Sequence, residues 1–383
     1  MWVTKKIKQA YDADVFKSKR EVKSKNNRSS LLSIAVVSLG LLGMSSQAAN
    51  AKEITLRIGA GHPAGPTVYV GTVKNFFVPE VVKRVNERTE HKIKFIEAYG
   101  GTVAGVAETL ESVQSGLLDI GAYCFCFEPT KLFLHNFPYF APFGPQSAVQ
   151  SMEITRSVYD RIPELSSIFE TRYKQKLLGL SGWDNYHLGT TKVWENVDDL
   201  KNVKIGGAGP NLPWLKYVGA VPVQSTLPEA YMSLSSGVYT GWLMFPSAYF
   251  GYKLHEPAPV YTKIGFGAMA VIGLTMNDRK FKSLPKDVQD IIMEVGREYE
   301  VQSGILNDQK QASSLGKLKE AGATMQEVSE SVRTEWAASL AAFPTEMAMD
   351  AESRGLPGVK VMQAYIEEVE KAGVKWAHKY EVN

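Results

Sequence analysis

The sequence predicts an α/β fold in which mainly parallel sheets are flanked by helices. Two observations predict it. Short runs rich in β-branched and aromatic residues alternate with segments whose apolar residues recur at helical spacing, and this alternation continues through most of the chain. Parallel neighbours need a crossover connection, which a helix supplies, so the repeated order strand–helix–strand favours parallel sheets.

The first half of the chain contributes three strands and two helices to this prediction. The strands are expected at 54–58, Lys92–Tyr99 and 120–127. The helices are expected at about 67–88 and 106–116, where the second helix stops at Gly116. Each strand is followed by loop residues, so their carboxyl ends are candidates for a ligand site.

The second half repeats this order with shorter elements. Its strands are expected at 176–180, 203–205, 221–223 and 239–244, and its helices at 212–218 and 228–237. Residues 111–121 and 232–241 echo each other, since both contain a helix end, a Ser-Gly stop and an apolar strand. The echo indicates either two lobes of similar design or the ordinary form of such a turn. Residues 268–277 are expected to cross back between lobes, and the remaining chain is expected to be mainly helical.

A short apolar run near the front predicts export. Residues 31–43 are apolar, a basic tract with Lys23, Lys25 and Arg28 precedes them, and Ala49-Asn50-Ala51 follows. Basic, apolar and then small residues are the layout of a secretory signal peptide. The run is shorter than the ~20 residues that a spanning helix needs. Residues 1–51 are therefore predicted to be a cleaved signal peptide and the protein to be periplasmic; an uncleaved anchor is the alternative.

Charge and length narrow the function further. Residues 1–51 carry nine Lys and Arg against three acids, so the remaining chain has a net charge of −3. A slightly acidic exported protein lacks the basic footprint of nucleic-acid binding, and none is expected. About 330 residues remain after cleavage, enough for two domains.

The chain has two cysteines, Cys124 and Cys126. Residues two apart on a strand point the same way and make a strained bridge at best, so two small buried apolar residues are the favoured interpretation. A strained or redox-active pair and a metal site are the alternatives. No Cys or His spacing supports a metal site, and no cofactor is expected.

Two motifs suggest enzymes, and both are incomplete. Residues 59–64, GAGHPA, fit a dinucleotide fingerprint, but Pro63 and Pro66 remove backbone donors that a pyrophosphate would need. Residues 179–183, GLSGW, approach a nucleophile elbow, but Trp183 replaces the glycine that the tight turn requires. A binding protein without catalytic residues is therefore favoured, and a secreted hydrolase is the alternative.

Aromatic residues are dense near the predicted strand ends. They are Tyr123, Phe125, Phe127, Trp183, Tyr186, Trp214, Trp242, Phe245, Tyr249 and Tyr252. Core packing explains part of this density. The rest falls in turns where two lobes would face each other, and such rings offer apolar area and stacking faces to an organic ligand.

An ordered set of segments resembles the periplasmic substrate-binding proteins of TRAP transporters. Residues 197–205, VDDLKNVKI, resemble the family's "DLKGLKIR"; 218–223, VGAVPV, its "GANPV"; and 227–238, LPEAYMSLSSGV, its "SEVYTALQSGVVDG". Residues 180–191, which contain Trp183-Asp184-Asn185, resemble the "WDNG" strand. Residues 111–121 resemble "VQSGTLDIA", and 277–284 resemble "NKKFWDSLP". The resemblance covers about residues 54–345 in order.

The resemblance implies a two-lobe clamp of the periplasmic-binding-protein type, with lobes joined by crossing strands and a long helix. The first lobe would comprise 52–178 with part of 272–383, and the second 179–271 with part of the C-terminal helices. Such proteins close on a small organic acid, perform no chemistry, and deliver the acid to small and large integral-membrane TRAP subunits. A ligand-sensing subunit of a signalling partner could use the same fold.

The chain departs from the family where a substrate carboxylate would be bound. The family's arginine after "LKI" is Gly206, followed by Gly207, and the arginine after "WDNG" is also missing. Another cation (Lys204, Lys253 or His187) could substitute, a metal ion could accompany the ligand, or backbone N–H groups of the glycine pair could form an anion-binding nest. Relative to the family pattern, the chain has additional aromatic residues and lacks these arginines, which favours an aromatic or bulky apolar monocarboxylate as the ligand. A small dicarboxylate or hydroxy acid is the alternative.

The predicted ligand-binding residues follow from this resemblance and from the aromatic density. They are His62, Tyr123, Trp183, Asn185, Gly206, Gly207, Trp242 and Phe245. Trp183 and Trp242 would form apolar walls, Asn185 and Tyr123 would hydrogen-bond a ligand oxygen, and His62 could donate to an anion. Trp183 and Phe245 could equally be core residues, and His62 could face solvent.

Overall fold

A computed structural model describes residues 51–383 as one unit. The signal-peptide prediction falls on residues 1–51 and so lies, apart from Ala51, outside the described residues. The strands are β1 (Glu53–Ala60), β2 (Lys92–Tyr99), β3 (Ile120–Cys124), β4 (Gln175–Thr190), β5 (Lys204–Gly207), β6 (Val221–Gln224), β7 (Gly241–Met244), β8 (Val260–Asn277) and β9 (Thr324–Glu327).

Helices flank these strands. They are α1 (Val68–Thr72), α2 (Val78–Arg88), α3 (Thr109–Ser115), α4 (Phe137–Phe140), α5 (Ala148–Arg161), α6 (Glu164–Thr171), α7 (Leu212–Lys216), α8 (Leu227–Ser235), α9 (Pro246–Gly251), α10 (Asp278–Lys282), α11 (Lys286–Glu320), α12 (Glu330–Ser339), α13 (Phe343–Ser353) and α14 (Gly358–Lys371). A π turn at Val73–Phe77 links α1 to α2, so the predicted helix over 67–88 is nearly continuous. None of the helices within residues 51–383 has the length and apolar character to span a membrane.

The described strands form one mixed nine-stranded sheet in the order β2-β1-β3-β8-β4-β7-β5-β6, with β9 beside β8. The strands β1, β2 and β3 are parallel, as are β5, β6 and β7, and the antiparallel pair β4–β8 joins the two groups. We call the half around β1–β3 the first lobe and the half around β5–β7 the second lobe. The α/β prediction is confirmed, while the residue boundaries of the lobes stay predictions.

Both crossing strands are longer than the apolar runs that predicted them, and β4 includes residues 180–190, which resemble the family's "WDNG" strand. The strand predicted at 176–180 runs to Thr190, and the strand predicted at 268–277 begins at Val260. Every residue of β4 except Lys176 is buried, including polar ones that resemble loop residues in the sequence. Burial between neighbouring strands therefore overrides local propensity along this segment.

The crossing pair bends at its centre. The β4–β8 register shifts repeatedly between Ser181 and Leu188, which marks β-bulges, and such bulges bend a strand. On β8, Gly265 and Gly267 have φ of +76° and +112°, a conformation that other residues rarely adopt. We call residues 181–188 the β4 bend.

The long helix α11 is bonded to β4 by a row of residues, most of which are buried. Gly179 and Gly296 let the backbones meet, since a Cβ on Gly179 would lie 2.4 Å from the carbonyl oxygen of Gly296. Four side chains of α11 then bond to β4. Glu300 accepts from Leu180 N (2.9 Å), Ser303 bonds Ser181, Asn307 donates to Gly182 O (3.1 Å) and Gln311 accepts from Asn185 N (2.7 Å).

The third predicted strand is shorter than expected. It ends at Cys124, and Phe125–Phe127 form a 3-10 turn rather than three further strand residues. Cys124 and Cys126 are joined by a disulfide, which corrects the favoured interpretation of two unpaired buried cysteines. That interpretation assumed a continuous strand, whereas the 3-10 turn redirects the second cysteine toward the first.

Candidate functional site

Eight ring-bearing residues gather where the β4 bend meets the ends of other strands. These residues, which we call the aromatic cluster, are His62, Tyr69, Phe127, Tyr139, Trp183, Tyr186, Trp214 and Phe245. They come from both lobes and from the β4 bend that joins the lobes. The carboxyl ends of β1, β3 and β7 contribute through the residues that follow them, which is where open α/β sheets place ligands.

Trp183 and Phe245 form the centre of the aromatic cluster. Their rings stack with centroids 5.1 Å apart and planes 16° from parallel. Tyr69 meets the Trp183 ring edge-on at 5.4 Å, and Tyr186 meets Phe245 edge-on at 5.1 Å. His62 lies 6.1 Å from Trp183, so a first-lobe loop reaches the β4 bend. Such stacked and edge-on pairs are favourable ring geometries.

The aromatic cluster contains polar atoms that its own residues do not fully use. The indole Nε1 of Trp183 is buried and has no hydrogen-bond partner among the described residues. The hydroxyls of Tyr139 and Tyr186 bond each other at 2.9 Å. In such a pair one hydroxyl donates, so the accepting hydroxyl keeps its own hydrogen for another acceptor.

His62 is neutral at physiological pH. Burial lowers the pKa of its imidazole to about 4. Its Nδ1 bonds the Tyr69 hydroxyl at 2.9 Å, which leaves Nε2 for a further contact. Burial also raises the pKa of Tyr139, an effect that the Tyr186 hydroxyl and the nearby Trp183 indole partly offset, although the indole N–H does not reach hydrogen-bond geometry with Tyr139.

A buried carboxyl group, that of Asp184, adjoins the centre of the aromatic cluster in sequence. Asp184 follows Trp183 on the β4 bend and accepts hydrogen bonds from Ser247 N (3.1 Å) and Ser247 Oγ (2.7 Å) at the start of α9. Burial raises the pKa of Asp184 to about 7, although these bonds act in the opposite direction. Asp184 therefore connects the bend to the helix that follows Phe245.

The two lobes touch on either side of the aromatic cluster. A Cβ on Gly209 of the second lobe would lie 3.2 Å from the carbonyl oxygen of Cys126, and a Cβ on Gly251 would lie 3.9 Å from Pro66 Cβ. Trp183 and Phe245 are each 6% exposed and His62 is 9% exposed. The described conformation thus encloses the cluster rather than opening it to solvent.

The structure brings together three of the predicted ligand-binding residues, His62, Trp183 and Phe245. It also places beside them Tyr69, which the sequence analysis missed. The only sequence feature that could have indicated Tyr69 is its position seven residues after His62, at the start of the helix that follows the first strand. Because a helix start was expected there, an aromatic residue in it indicated core packing alone.

The other predicted side chains lie outside the aromatic cluster. The Tyr123 hydroxyl donates to Gln175 Oε1 (2.9 Å) inside the first lobe. Asn185 donates to Gln146 Oε1 (2.8 Å) and accepts from Gly267 N (2.9 Å), which holds the bend in β8. Neither residue is free of protein partners, and their contact with a ligand stays a prediction.

Gly206 and Gly207 are in extended strand conformation in β5. Neither has a positive φ, so the suggested nest of backbone N–H groups is not formed. A Cβ on Gly206 would lie 2.4 Å from Trp242 Cε3, so the Trp242 ring fills the space beside this glycine. The ring contact of Trp242 is with Tyr239 at 5.4 Å, and its place in the site also stays a prediction.

The side chain of Asn211 lies against Gly207, and its buried amide oxygen has no hydrogen-bond partner within residues 51–383.

Cavities among the described residues lie outside the aromatic cluster. One of about 310 Å³ is lined by polar residues of the β4 bend and α11, among them Asn185, His187 and Gln311. Another of about 290 Å³ lies beside Trp194 in the second lobe. Residues 51–383 bring together no group of three or more His, Cys, Asp or Glu side chains that could hold a metal ion.

Comparison with known proteins places this geometry in a family. The model of "Bacterial extracellular solute-binding protein, family 7" matches residues 67–350. A curated solute-binding protein of Sulfitobacter sp. (strain NAS-14.1) is 24% identical over 178 residues, which are 46% of this chain and 52% of the relative. The chain thus spans about half the length of that relative.

Solved structures match over nearly their whole length. A TRAP solute-binding protein from a marine metagenome, specific for aromatic acid ligands and crystallised with 3-hydroxybenzoate, has a TM-score of 0.74 at 22% identity and covers 84% of this chain and 99% of its own. A TRAP solute-binding protein from Rhodoferax ferrireducens T118, in complex with copurified benzoate, has a TM-score of 0.73 at 18% identity. The match covers 83% of this chain and 98% of the Rhodoferax protein.

A Bordetella pertussis extracytoplasmic solute receptor that binds pyroglutamic acid has a TM-score of 0.66 at 18% identity and covers 81% of this chain and 99% of its own. At these identities the likeness shows the fold, and it confirms the predicted two-lobe clamp with flanking helices.

Proposed function

The chain belongs to the bacterial extracellular solute-binding proteins of family 7, and from this membership we propose that it is a periplasmic receptor for an aromatic acid. The receptor binds the acid between its lobes without transforming it and delivers it to the membrane subunits of a TRAP transporter. Residues 1–51 serve as its signal peptide, cleaved near Ala51.

The observation that carries the aromatic ligand is the stacked pair of Trp183 and Phe245. These rings lie at the β4 bend, between loops of both lobes, where a ligand gains contacts to both lobes only when the lobes close. Flat apolar faces of this kind suit a planar ring, since stacking adds to the area removed from water.

The similar structures support the same ligand class. The metagenome protein and the Rhodoferax protein were crystallised with 3-hydroxybenzoate and benzoate. The Bordetella receptor binds pyroglutamic acid, a cyclic acid without an aromatic ring, so the ring type is the point that an experiment must decide. His62, Trp183 and Phe245 are the residues of this chain that we propose to contact the ring or its acid group.

The proposed function is tested by ligand screening of the exported protein. We expect benzoate, 3-hydroxybenzoate and mandelate to raise the melting temperature, because a ligand at a hundred times its Kd adds about 2.7 kcal/mol to the free energy of unfolding. Succinate, malate and pyroglutamate serve as the competing ligands. Stabilisation by succinate or malate alone would refute the aromatic ligand.

A variant links the binding to the proposed site. Phe245→Leu removes the stacking face while keeping an apolar side chain, so we expect the affinity for benzoate to fall about tenfold. Phe281→Leu, a change of the same kind in a buried residue of α10, is the matched control and leaves the affinity unchanged. Equal affinities in all three proteins would remove Phe245 from the site.

Export and delivery have their own tests. N-terminal sequencing of the protein from the periplasm is expected to begin near residue 52, whereas an uncleaved anchor leaves the full chain in the membrane fraction.

Deleting the gene is expected to abolish uptake of the labelled aromatic acid at low concentration. Unchanged uptake would refute delivery to a transporter and would favour the ligand-sensing role.

A further inference from the structure

The aromatic cluster offers hydrogen-bond donors but no positive charge. Building on the proposed function, we propose that this site recognises the polar end of an aromatic ligand as a neutral hydrogen-bond acceptor and not as an anion. Aromatic primary amides are then ligands as well as aromatic carboxylates. The substrate class is thus wider than acids.

The donors of the aromatic cluster are all neutral. The indole N–H of Trp183 is buried and has no partner among the described residues. The Tyr139–Tyr186 pair at 2.9 Å keeps one hydroxyl hydrogen unused. An oxygen with two lone pairs, from an amide, a ketone or a carboxylate, can accept from both groups. A buried donor without an acceptor costs free energy, so a ligand that supplies one is favoured over an apolar ring alone.

The described residues of the cluster contain no side chain that would neutralise a carboxylate. Its one titratable base, His62, stays uncharged at neutral pH because burial lowers its pKa to about 4. A cationic side chain could not be accommodated at position 206 either, because even a Cβ there would overlap Trp242. Burying an anion without a partner is costly, which removes the advantage that a carboxylate has over an amide.

A buried carboxyl group next to Trp183 in sequence acts against an anion. Asp184 lies one residue from Trp183 and is fully buried, with both of its oxygens bonded to Ser247. Whenever Asp184 is ionised, its charge disfavours a second carboxylate close by. A neutral amide pays no such penalty, so the position of Asp184 favours the same conclusion as the neutral donors.

The test compares one ring with two polar ends. We expect the exported wild-type protein to bind benzamide with a Kd within tenfold of that for benzoate in titration calorimetry. The benzoate Kd is also expected to change less than twofold between 20 and 500 mM NaCl, since no fixed charge attracts the anion. The order of affinity among substituted rings is expected to be the same for acids and amides.

The outcomes separate the inference from the proposed function. Benzamide binding more than tenfold weaker than benzoate overturns the inference and leaves an aromatic-acid receptor. If benzamide binds and benzoate does not, the result supports recognition of a neutral acceptor and refutes the aromatic acid as the ligand of the proposed function. If neither binds, both the inference and the proposed function fail. None of these outcomes depends on a variant that must fold.

A variant pair assigns the donor. Trp183→Phe keeps the stacked ring but removes the N–H, and we expect it to weaken benzoate and benzamide by the same factor, about fivefold. Trp194→Phe is the matched control, because Trp194 also has a buried Nε1 without a described partner and lies in the second lobe, away from the aromatic cluster. A loss for benzoate alone would contradict recognition through a neutral donor.

Discussion

Replacing Gly206 by alanine tests the packing that the structure assigns to this position. A Cβ there would lie 2.4 Å from Trp242 Cε3, 2.7 Å from Cζ3 and 2.9 Å from Tyr239 Cζ. Carbon atoms in ordinary contact are about 3.5–4.0 Å apart, so the indole must move by roughly 1 Å. Trp242 is fully buried and β5 is held by strands on both sides, so neither can yield easily.

We expect Gly206→Ala to lower the free energy of unfolding by about 1–3 kcal/mol, the usual cost of overpacking. Urea unfolding followed by circular dichroism measures it, and an unchanged m-value shows that the same surface is exposed. Gly316→Ala is the control: a Cβ there meets nothing within 4 Å, so on α11 it stabilises by about 0.5–1 kcal/mol.

A double-mutant cycle isolates the proposed cause. Trp242→Leu alone leaves a cavity and destabilises, but in the Gly206→Ala background the smaller side chain removes the overlap. The two changes together are therefore expected to cost less than the sum of the single changes, by about 1–2 kcal/mol. Additive effects, or Gly206→Ala within 0.5 kcal/mol of wild type, would refute the reasoning.

Three further predictions concern stability. Burial raises the pKa of Asp184 to about 7, so its stabilising effect is complete below about pH 4 and is lost as pH rises to about 7; in thermal unfolding, the advantage of wild type over Asp184→Asn should therefore shrink across this range. Replacing Cys124 and Cys126 by serine opens a three-residue loop and should lower the free energy of unfolding by about 1.5 kcal/mol in urea, as a reductant does with wild type. Arg156→Met removes the bidentate ion-pair partner of buried Glu300, which among the described residues keeps only Arg297 as a cationic partner, at 3.5 Å, and should cost about 3 kcal/mol, whereas the double change Arg156→Met with Glu300→Met should cost less.

The pH prediction depends on a difference between two proteins, because other groups titrate in the same range. Burial lowers the pKa of His62 to about 4 and of His135 and His187 to about 3, so their contribution rises with pH over this interval. Burial raises the pKa of Glu128 to about 7, which acts in the same direction as Asp184. A constant difference between wild type and Asp184→Asn from pH 4 to 7 would contradict the assignment.

The fold could be predicted from the sequence because apolar residues recur at a different spacing in helices than in strands. Apolar spacing alone predicted only residues 176–180 of β4, because Ser181, Asp184 and Asn185 are polar residues that break the apolar run. The family resemblance indicated the continuation of this strand over 180–191. Asp184 is bonded to Ser247 and Asn185 to Gln146 and Gly267. These partners are distant in sequence, so no local pattern reveals them.

The candidate site was predicted in part for the same reason. His62, Trp183 and Phe245 follow or interrupt strands, a position that sequence order alone indicates. Tyr69 and Tyr139 belong to the same cluster, but each lies in a helical segment whose aromatic residues ordinarily indicate core packing. Which rings meet across the lobes depends on how β4 bends, and that bend arises from its bulged pairing with β8.

The bonds between α11 and β4 have a mechanical consequence. Five residues of α11 that contact β4 recur every three or four positions along one face of the helix, and each meets a successive point of the strand: Gly296, Glu300, Ser303, Asn307 and Gln311. Because β4 is bonded to α11 at these successive points, the strand is held against sliding along the helix. We therefore expect any rearrangement of the two lobes to leave β4 attached to α11, so that Trp183 keeps its position relative to that helix.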